Sequence, residues 1–374
     1  MSQTQTMEGR PSILHVFSTF NIGGPQVRFA QLANAWEDQF HHHIIAMDGA
    51  TNCTSLLNDK LSFEVENNPA PTGGLVHRLK TLRQFLQQHK PALLVTYNWG
   101  AIEWALARWG LSIPHIHIED GFGPEEQNQQ IPRRVWFRKI ALKGADSVIV
   151  PSQTLAKIAT DYWQVPSRKL HFIPNGVDLK HLDNPERQRY RSLFSRSSAL
   201  RIGTLARIRK EKNIPRLIDA FEWLSKHHDI ELYIAGDGPE LDSVSDYVQQ
   251  SSAQSRIHLV GNIKNPADFI CHLDVFALSS DTEQMPYSVL EAAGASLPVA
   301  AVDVGDVKNL VAEENRQFVN GNDSEALKIS LEEILSDADL RQRLGAANRT
   351  FCQQHFDQNV MIERYLNMTL ELIG

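Results

Sequence analysis

Two glutamates, Glu283 and Glu291, stand with seven residues between them in the run Glu-Gln-Met-Pro-Tyr-Ser-Val-Leu-Glu. The apolar stretch Val275–Leu278 precedes them and reads as a buried strand. Pro286 suits the first turn of a helix, where its missing N–H costs nothing. Glu283 is therefore expected in the loop before a helix and Glu291 inside it. A helix N-terminus, here reached through Met285, Pro286, Tyr287 and Ser288, offers N–H groups and a positive dipole end to an anion. Glu291 is placed to accept hydrogen bonds from a ribose diol, as an acidic residue does in dinucleotide sites. Glu283 can accept them from sugar hydroxyls. The competing reading is a surface loop and an ordinary helix that carries glutamates.

A second constellation supplies positive charge. In Gly203-Thr-Leu-Ala-Arg207-Ile-Arg-Lys-Glu-Lys212 a strand runs out into a loop carrying Arg207 and Lys212. Arg binds phosphate as a fork and Lys as a point charge, so the pair can clamp a diphosphate. Without the strand before it, a KEK run is more often a solvated loop. Glycine turns add places where backbone can approach a ligand closely. Gly236 and Gly238 follow the strand Glu231–Ala235, and Gly23-Gly24 joins the first strand to the first helix. The latter resembles a phosphate-cradling turn but lacks the third glycine of the dinucleotide fingerprint. A GxG by itself is more often only a turn.

His115, His117, Glu119 and Asp120 lie at the end of another strand and bring polar groups to the same kind of rim. A lone His is usually structural, whereas a His, Glu and Asp cluster at a strand's carboxyl end is a better functional candidate. Two features look like metal sites and are read otherwise. Asp337-Ala-Asp339 precedes Leu340–Leu344 and reads as a helix N-cap. His41-His42-His43 places neighbouring rings on different sides of a strand, with no Cys or carboxylate framework, and is expected to face solvent. No metal ligand is assigned.

These groups need a scaffold, and the pattern provides one. Short β-rich runs alternate with helical stretches along the chain, which implies βαβ units and parallel sheets. Ile13–Phe20, Leu93–Tyr97, Ile113–Ile118 and Ser147–Val150 read as strands of a first domain. The pattern breaks at Ile173–Asp178 and a polar segment, Asn184–Ser197. It restarts with Arg201–Leu205, Glu231–Ala235, Ile257–Val260, Val275–Leu278 and Val299–Val302. The expectation is an α/β chain of two doubly wound domains, residues 1–180 and 181–354, facing a central cleft. A C-terminal helix at about 355–374 is expected to pack back on the first domain. Ligands in such folds sit at the carboxyl ends of the strands.

The 374 residues suit two domains, and 42% hydrophobic with 22% charged residues is ordinary for a globular protein. A net charge of −7 argues against general nucleic-acid binding. Cys53, Cys271 and Cys352 are scattered and odd in number, which fits a reducing cytoplasm better than a disulfide framework. The first ten residues are polar and read as a disordered lead-in without the apolar core of a signal peptide. No apolar run approaches a membrane span. Ile131–Lys143 is a basic amphipathic segment, and Leu75–Lys90 a weaker one. Either can lie on an anionic membrane surface, or be a sheet-covering helix with a solvated basic face.

In its ordered set of motifs the chain resembles family 4 of the glycosyltransferases, retaining enzymes of the GT-B fold. The resemblance spans nearly the whole chain. Its carriers are Gly23-Gly24, IPHIHIEDG at 113–121, IPNGVD at 173–178, Arg207 with Lys212, AGDGPE with Gly236 and Gly238, Leu259-Val-Gly261, the pair Glu283 and Glu291, Leu297-Pro-Val and Asp303-Val-Gly305. It implies that the family's functional His falls on His117, and that Arg207 and Lys212 hold the diphosphate. It places the loops with Gly236, Gly238 and Gly261 around the base, and the acceptor on the N-terminal domain. The implied donor is a nucleoside diphosphate sugar, a UDP-sugar before a GDP- or ADP-sugar, with no further cofactor. The implied acceptor is a glycan or glycolipid, reached from the cytoplasm or from the inner face of a membrane.

The implied reaction retains the anomeric configuration without a bound metal. Arg207, Lys212, the Gly23-Gly24 amides and the helix after Glu283 would carry the charge of the departing diphosphate. His117 would contact the donor sugar, and no enzymatic nucleophile is assigned. The chain departs from the family's usual Glu-Gly-Phe-Pro with Gln284 and Met285, which reshapes the loop under the donor sugar. It also has Asn213 where Gly is usual. Two other functions fit the residues less well: a GT-B-fold sugar-nucleotide epimerase, and a non-catalytic nucleotide-sugar-binding protein.

Overall fold

The computed structural model describes residues 9–122, 126, 129–194 and 198–374. Among the described residues seven strands come first: β1 (Ser12–Phe17), β2 (His41–Ala46), β3 (Phe63–Glu66), β4 (Leu93–Tyr97), β5 (His115–Ile118), β6 (Ser147–Val150) and β7 (Leu170–Phe172). Five follow: β8 (Leu200–Leu205), β9 (Ile230–Ala235), β10 (Ile257–Gly261), β11 (Val275–Leu278) and β12 (Val299–Ala301). They form two sheets of order β3-β2-β1-β4-β5-β6-β7 and β10-β9-β8-β11-β12. Every strand pair is parallel. Strands such as Leu93–Tyr97 and Val275–Leu278 are buried along their whole length, as a sheet covered on both faces requires.

The chain divides into two units, Met1–Pro174 with Met361–Gly374, and Asn175–Val360. In the first, strand order reverses between β1 and β4, and in the second between β8 and β11. These reversals open a crevice at the carboxyl ends of the flanking strands. The divisions at 174/175 and 360/361 differ by a few residues from those expected at 180/181 and 354/355. Asn175 goes with the second unit because its backbone N–H donates to Met285 Sδ (3.1 Å) and its side-chain amide to the Met285 carbonyl (3.1 Å). The helix Gln358–Ile373 buries Met361 and Tyr365 in the same core cluster as Ile13, Phe17 and Ile116.

Candidate functional site

The loop after β8 is built to hold a fixed shape. Its backbone bonds to the turn after β9 through Ala206 N–H to Ala235 O (3.0 Å), Ile208 N–H to Asp237 O (2.9 Å) and Glu240 N–H to Ile208 O (3.1 Å). Gly236 and Gly238 permit this approach. A Cβ on Gly236 would collide with the Ala206 carbonyl, and one on Gly238 with that of Ile208. Gly236 also takes φ +133°, which side chains rarely tolerate. The two glycines expected to approach a ligand thus pack against the loop that carries Arg207. The Arg207 side chain itself is exposed.

Lys212 follows in a short turn that ends at Asn213, with φ 41° and ψ 52°. This is the left-handed region, where asparagine is the usual substitute for glycine. Asn213 then caps the helix Ile214–Leu224 by accepting from Arg216 N–H (3.3 Å). The Asn213 amide (3.0 Å) and the Arg216 guanidinium (2.7 Å) both donate to Asp281. Asp281 N–H donates to Glu211 O, and Ser279 Oγ to Lys212 O. The loops leaving β8 and β11, neighbours at the strand reversal, are therefore joined side by side. Across them Lys212 Nζ lies 2.5 Å from Glu283 Oε1, which also accepts from Ser280 Oγ at 2.7 Å.

The helix after Glu283 runs Tyr287–Gly294, and Pro286 is its extended N-cap residue, one position earlier than expected. Gly305 (φ +55°) braces the same loop. A Cβ there would collide with the Glu283 carbonyl, and Asp306 N–H donates to Gln284 O. The Met285 side chain is buried in the core and accepts from Asn175 N–H, so it shapes the loop from beneath. Glu291 lies within the helix. Its carboxyl has no hydrogen-bond or ion-pair partner among the described residues, and burial pushes its pKa up to about 7. The side chain keeps partial exposure, so this unpaired carboxyl remains within reach of a ligand.

In the first unit, Gly23 precedes the helix Gly24–Trp36 with extended backbone and no side-chain cap. This turn follows β1, beside the carboxyl end of β4 at the strand reversal. His117 is not at an open rim. Its side chain is fully buried, Nδ1 lies 2.8 Å from Thr96 Oγ1, and Nε2 lies 3.4 Å from Glu119. Thr96 Oγ1 is also 2.8 Å from His115 Nε2. Glu119 in turn meets Arg138 (3.3 Å), which donates twice to Glu126 (3.1 Å each). His117 is thus held in the interior between Thr96 and Glu119, and the sugar contact expected of it is not displayed at an open rim. Residues i and i+2 of a strand share a face, and here that face is covered.

The residue at the end of β5 that meets the first helix is Asp120, whose partner the sequence does not reveal. Arg28, buried in the helix Gly24–Trp36, grips it with Nη1 at 2.5 Å and Nη2 at 2.8 Å. Asp120 N–H also donates to Asn98 Oδ1 (2.7 Å), at a residue with φ 57°. Nothing in the sequence marks Arg28, because an arginine inside a helix normally faces solvent.

Asp337 is the N-cap of the helix Ala338–His355 and accepts from Leu340 N–H at 2.9 Å. The three adjacent histidines differ from expectation. His42 is buried against His15, with nitrogens 3.0 Å apart, while His41 and His43 share the opposite face with Glu64 and Glu66 of β3 beside them. Of the basic segments, Leu75–His89 commits Arg78 to Glu103. Pro132–Lys143 commits Arg134 and Arg138 to Glu126 but leaves Trp136 62% exposed near Arg133, Lys139 and Lys143. No helix among the described residues is long and apolar enough to cross a membrane.

Residues 190–351 match the family of glycosyl transferases group 1, and residues 23–176 the glycosyl transferase 4-like domain. An uncharacterized glycosyltransferase of Methanocaldococcus jannaschii is 30% identical over 171 residues, covering 44% of this chain and 41% of its own. The O-antigen biosynthesis glycosyltransferase WclY of Escherichia coli is 29% identical over 144 residues, 38% of this chain and 40% of its own. The chain therefore spans about two fifths of the length of these curated relatives. Among solved structures, Anabaena HepE in complex with UDP and glucose superposes with a TM-score of 0.81, covering 97% of this chain and 100% of its own at 19% identity. That likeness is one of fold. The chain belongs to the family-4-like glycosyltransferases of GT-B fold.

Proposed function

We propose that this chain transfers a sugar from a nucleoside diphosphate donor, a UDP-sugar by preference, to a glycan or glycolipid acceptor with retained anomeric configuration. The observation that carries this reading is the joined pair of loops after β8 and β11, which brings Lys212 onto Glu283 ahead of a helix holding the unpartnered carboxyl of Glu291. Arg207 and Lys212 supply positive charge for a departing diphosphate. The first turn of the helix Tyr287–Gly294 adds its dipole. One well-placed donor in such a site is worth on the order of 3 kcal/mol in the transition state. Glu283 would hold sugar hydroxyls, Glu291 the ribose diol, and the loops at Gly236, Gly238 and Gly261 the base. UDP is favoured because a structure of the same fold holds UDP and glucose.

In this reading no divalent metal takes part, since Arg207 and Lys212 carry the charge a metal would neutralise and Asp337 is engaged as a cap. His117 would act from the end of β5, where Thr96 and Glu119 hold its ring. The exposed Trp136 with Arg133, Lys139 and Lys143 suits peripheral contact with an anionic membrane, where a lipid-linked acceptor would lie. A thermal-shift panel of UDP, GDP, ADP and their sugars tests the donor, because a ligand that binds only the native state raises its apparent stability. The reading predicts a rise with a UDP-sugar and EDTA-resistant transfer whose product keeps the donor's anomeric configuration. Epimerised nucleotide sugar without acceptor, or binding without turnover of any kind, would overturn it.

A further inference from the structure

On the far edge of the first sheet, away from the strand reversal, β2 and β3 run side by side with His43 opposite Glu64 and Ile45 opposite Glu66. His41 and His43 are two apart on β2, so their rings fall on one face, 4.5 Å between centroids. One nitrogen of each ring and one oxygen of Glu64 lie within 4.8 Å of one another. His41 is at the first residue of β2, so the cluster sits at the amino ends of the strands. Nucleotide binding uses the opposite ends.

The second layer around these rings is already in place. His43 Nδ1 lies 2.5 Å from Glu66 Oε1, and His41 Nδ1 lies 2.9 Å from Ser62 Oγ. With Glu66 and Ser62 accepting from Nδ1–H, each ring presents the Nε2 lone pair. A carboxylate or hydroxyl holding one imidazole nitrogen so that the other can bind a cation is the arrangement typical of zinc ligands. Glu64 is exposed and has no hydrogen-bond or ion-pair partner among the described residues, so its carboxylate can swing in. Ligands of a tetrahedral Zn²⁺ at about 2.0–2.1 Å lie roughly 3.3 Å apart. Small side-chain rotations close the remaining gap.

We propose that His41, His43 and Glu64 form a Zn²⁺ site, with a water as the fourth ligand, that fastens the edge strand β3 to β2. Two imidazoles and a carboxylate suit zinc and exclude Mg²⁺ and Ca²⁺, which prefer all-oxygen shells.

Titration of Zn²⁺ into chelator-stripped full-length protein, against a chromophoric zinc indicator, tests this. One equivalent should bind with micromolar or tighter affinity. His43→Ala and His41→Ala should each weaken that binding at least tenfold. Glu64→Gln, at an exposed position that leaves the fold intact, should weaken it measurably, and Glu66→Gln should cost about 10–100-fold as a residue behind the ligand. Co²⁺ in place of Zn²⁺ should give the intense visible bands of a four-coordinate centre, lost in His43→Ala. No stoichiometric binding, or binding and Co²⁺ bands unchanged in both Glu64→Gln and His43→Ala, would overturn the proposal. Glycosyl transfer is expected to be the same with and without Zn²⁺, which separates this site from the donor site.

Discussion

Lys212 and Glu283, 71 residues apart in the sequence, meet as an ion pair with Nζ 2.5 Å from Oε1. Each is proposed to meet a different part of a donor, and in this structure each is the other's partner. Lys212 holds Glu283 toward the loop after β8, and Ser280 fixes the same oxygen. A diphosphate arriving at Lys212 would loosen this grip and free Glu283 for sugar hydroxyls.

Removing either cation should therefore injure turnover while sparing the fold. Arg207 is exposed and Lys212 partly so, so neither change opens a core. Arg207→Ala and Lys212→Ala are each expected to lower kcat/KM by about 10²–10³, the loss typical of one charge-stabilising donor, with the melting temperature within a few degrees of wild type. Steady-state rates with near wild-type values in either variant would remove that residue from the diphosphate contact.

Asn213 and Gly236 test the scaffold under these side chains. Asn213→Gly should be nearly neutral in stability, because glycine accepts φ 41° and costs only a few tenths of a kcal/mol as a cap. Asn213→Ala should cost about 1–2 kcal/mol. Gly236→Ala should cost roughly 1–3 kcal/mol from the backbone alone at φ +133°, and it should displace the Arg207 loop and lower turnover further. Urea denaturation of the three variants would check the order.

Arg138 tests the interior role of the β5 network. It is fully buried between Glu119 and Glu126, and deleting one side of a buried pair typically costs about 3–5 kcal/mol. Arg138→Ala should lose stability on that scale. His117→Ala should likewise lose more in stability than in transition-state stabilisation per folded molecule. A His117→Ala protein that melts like wild type but cannot turn over would restore His117 to the sugar.

If Glu291 holds the ribose as proposed, stability and ligand binding should respond to pH in opposite directions. Its carboxyl is pushed from an ordinary 4.5 to about 7 by burial, so the native state holds its proton more tightly than the unfolded chain. Its contribution to stability is greatest below about 4.5 and declines as pH rises toward 7. Ribose hydroxyls, in contrast, donate best to the ionised carboxylate. Affinity for free UDP should rise about tenfold more between pH 6 and 8 in wild type than in Glu291→Gln, which corrects for titration of the phosphate itself. Parallel pH profiles in the two proteins would contradict this.

The scaffold was legible in the sequence because a parallel sheet writes itself as short apolar runs between amphipathic helices. β4, β6 and β11 fall at the expected bounds. The linked loops after β8 and β11 were legible as charged residues following such strands. What the sequence did not display was the partners: Asn175 under Met285, Thr96 and Glu119 around His117, and the β3 carboxylates beside His41 and His43. Each depends on a partner distant in sequence. Arg28 and Asp120 escaped for the same reason: 92 residues separate them, and only the fold makes them neighbours.

Calorimetry with free UDP, which has a ribose but no sugar, separates the two glutamates most directly. Glu291 lies in the helix Tyr287–Gly294 and Glu283 in the loop before it. Hydrogen bonds to a charged group are typically worth about 1.5–3 kcal/mol each. Glu291→Ala should therefore weaken UDP by at least tenfold, while Glu283→Ala leaves UDP affinity within about threefold of wild type and loses turnover with the full donor. Severe loss of UDP affinity in Glu283→Ala with normal affinity in Glu291→Ala would mean that the nucleoside and the sugar lie the other way round along this loop and helix.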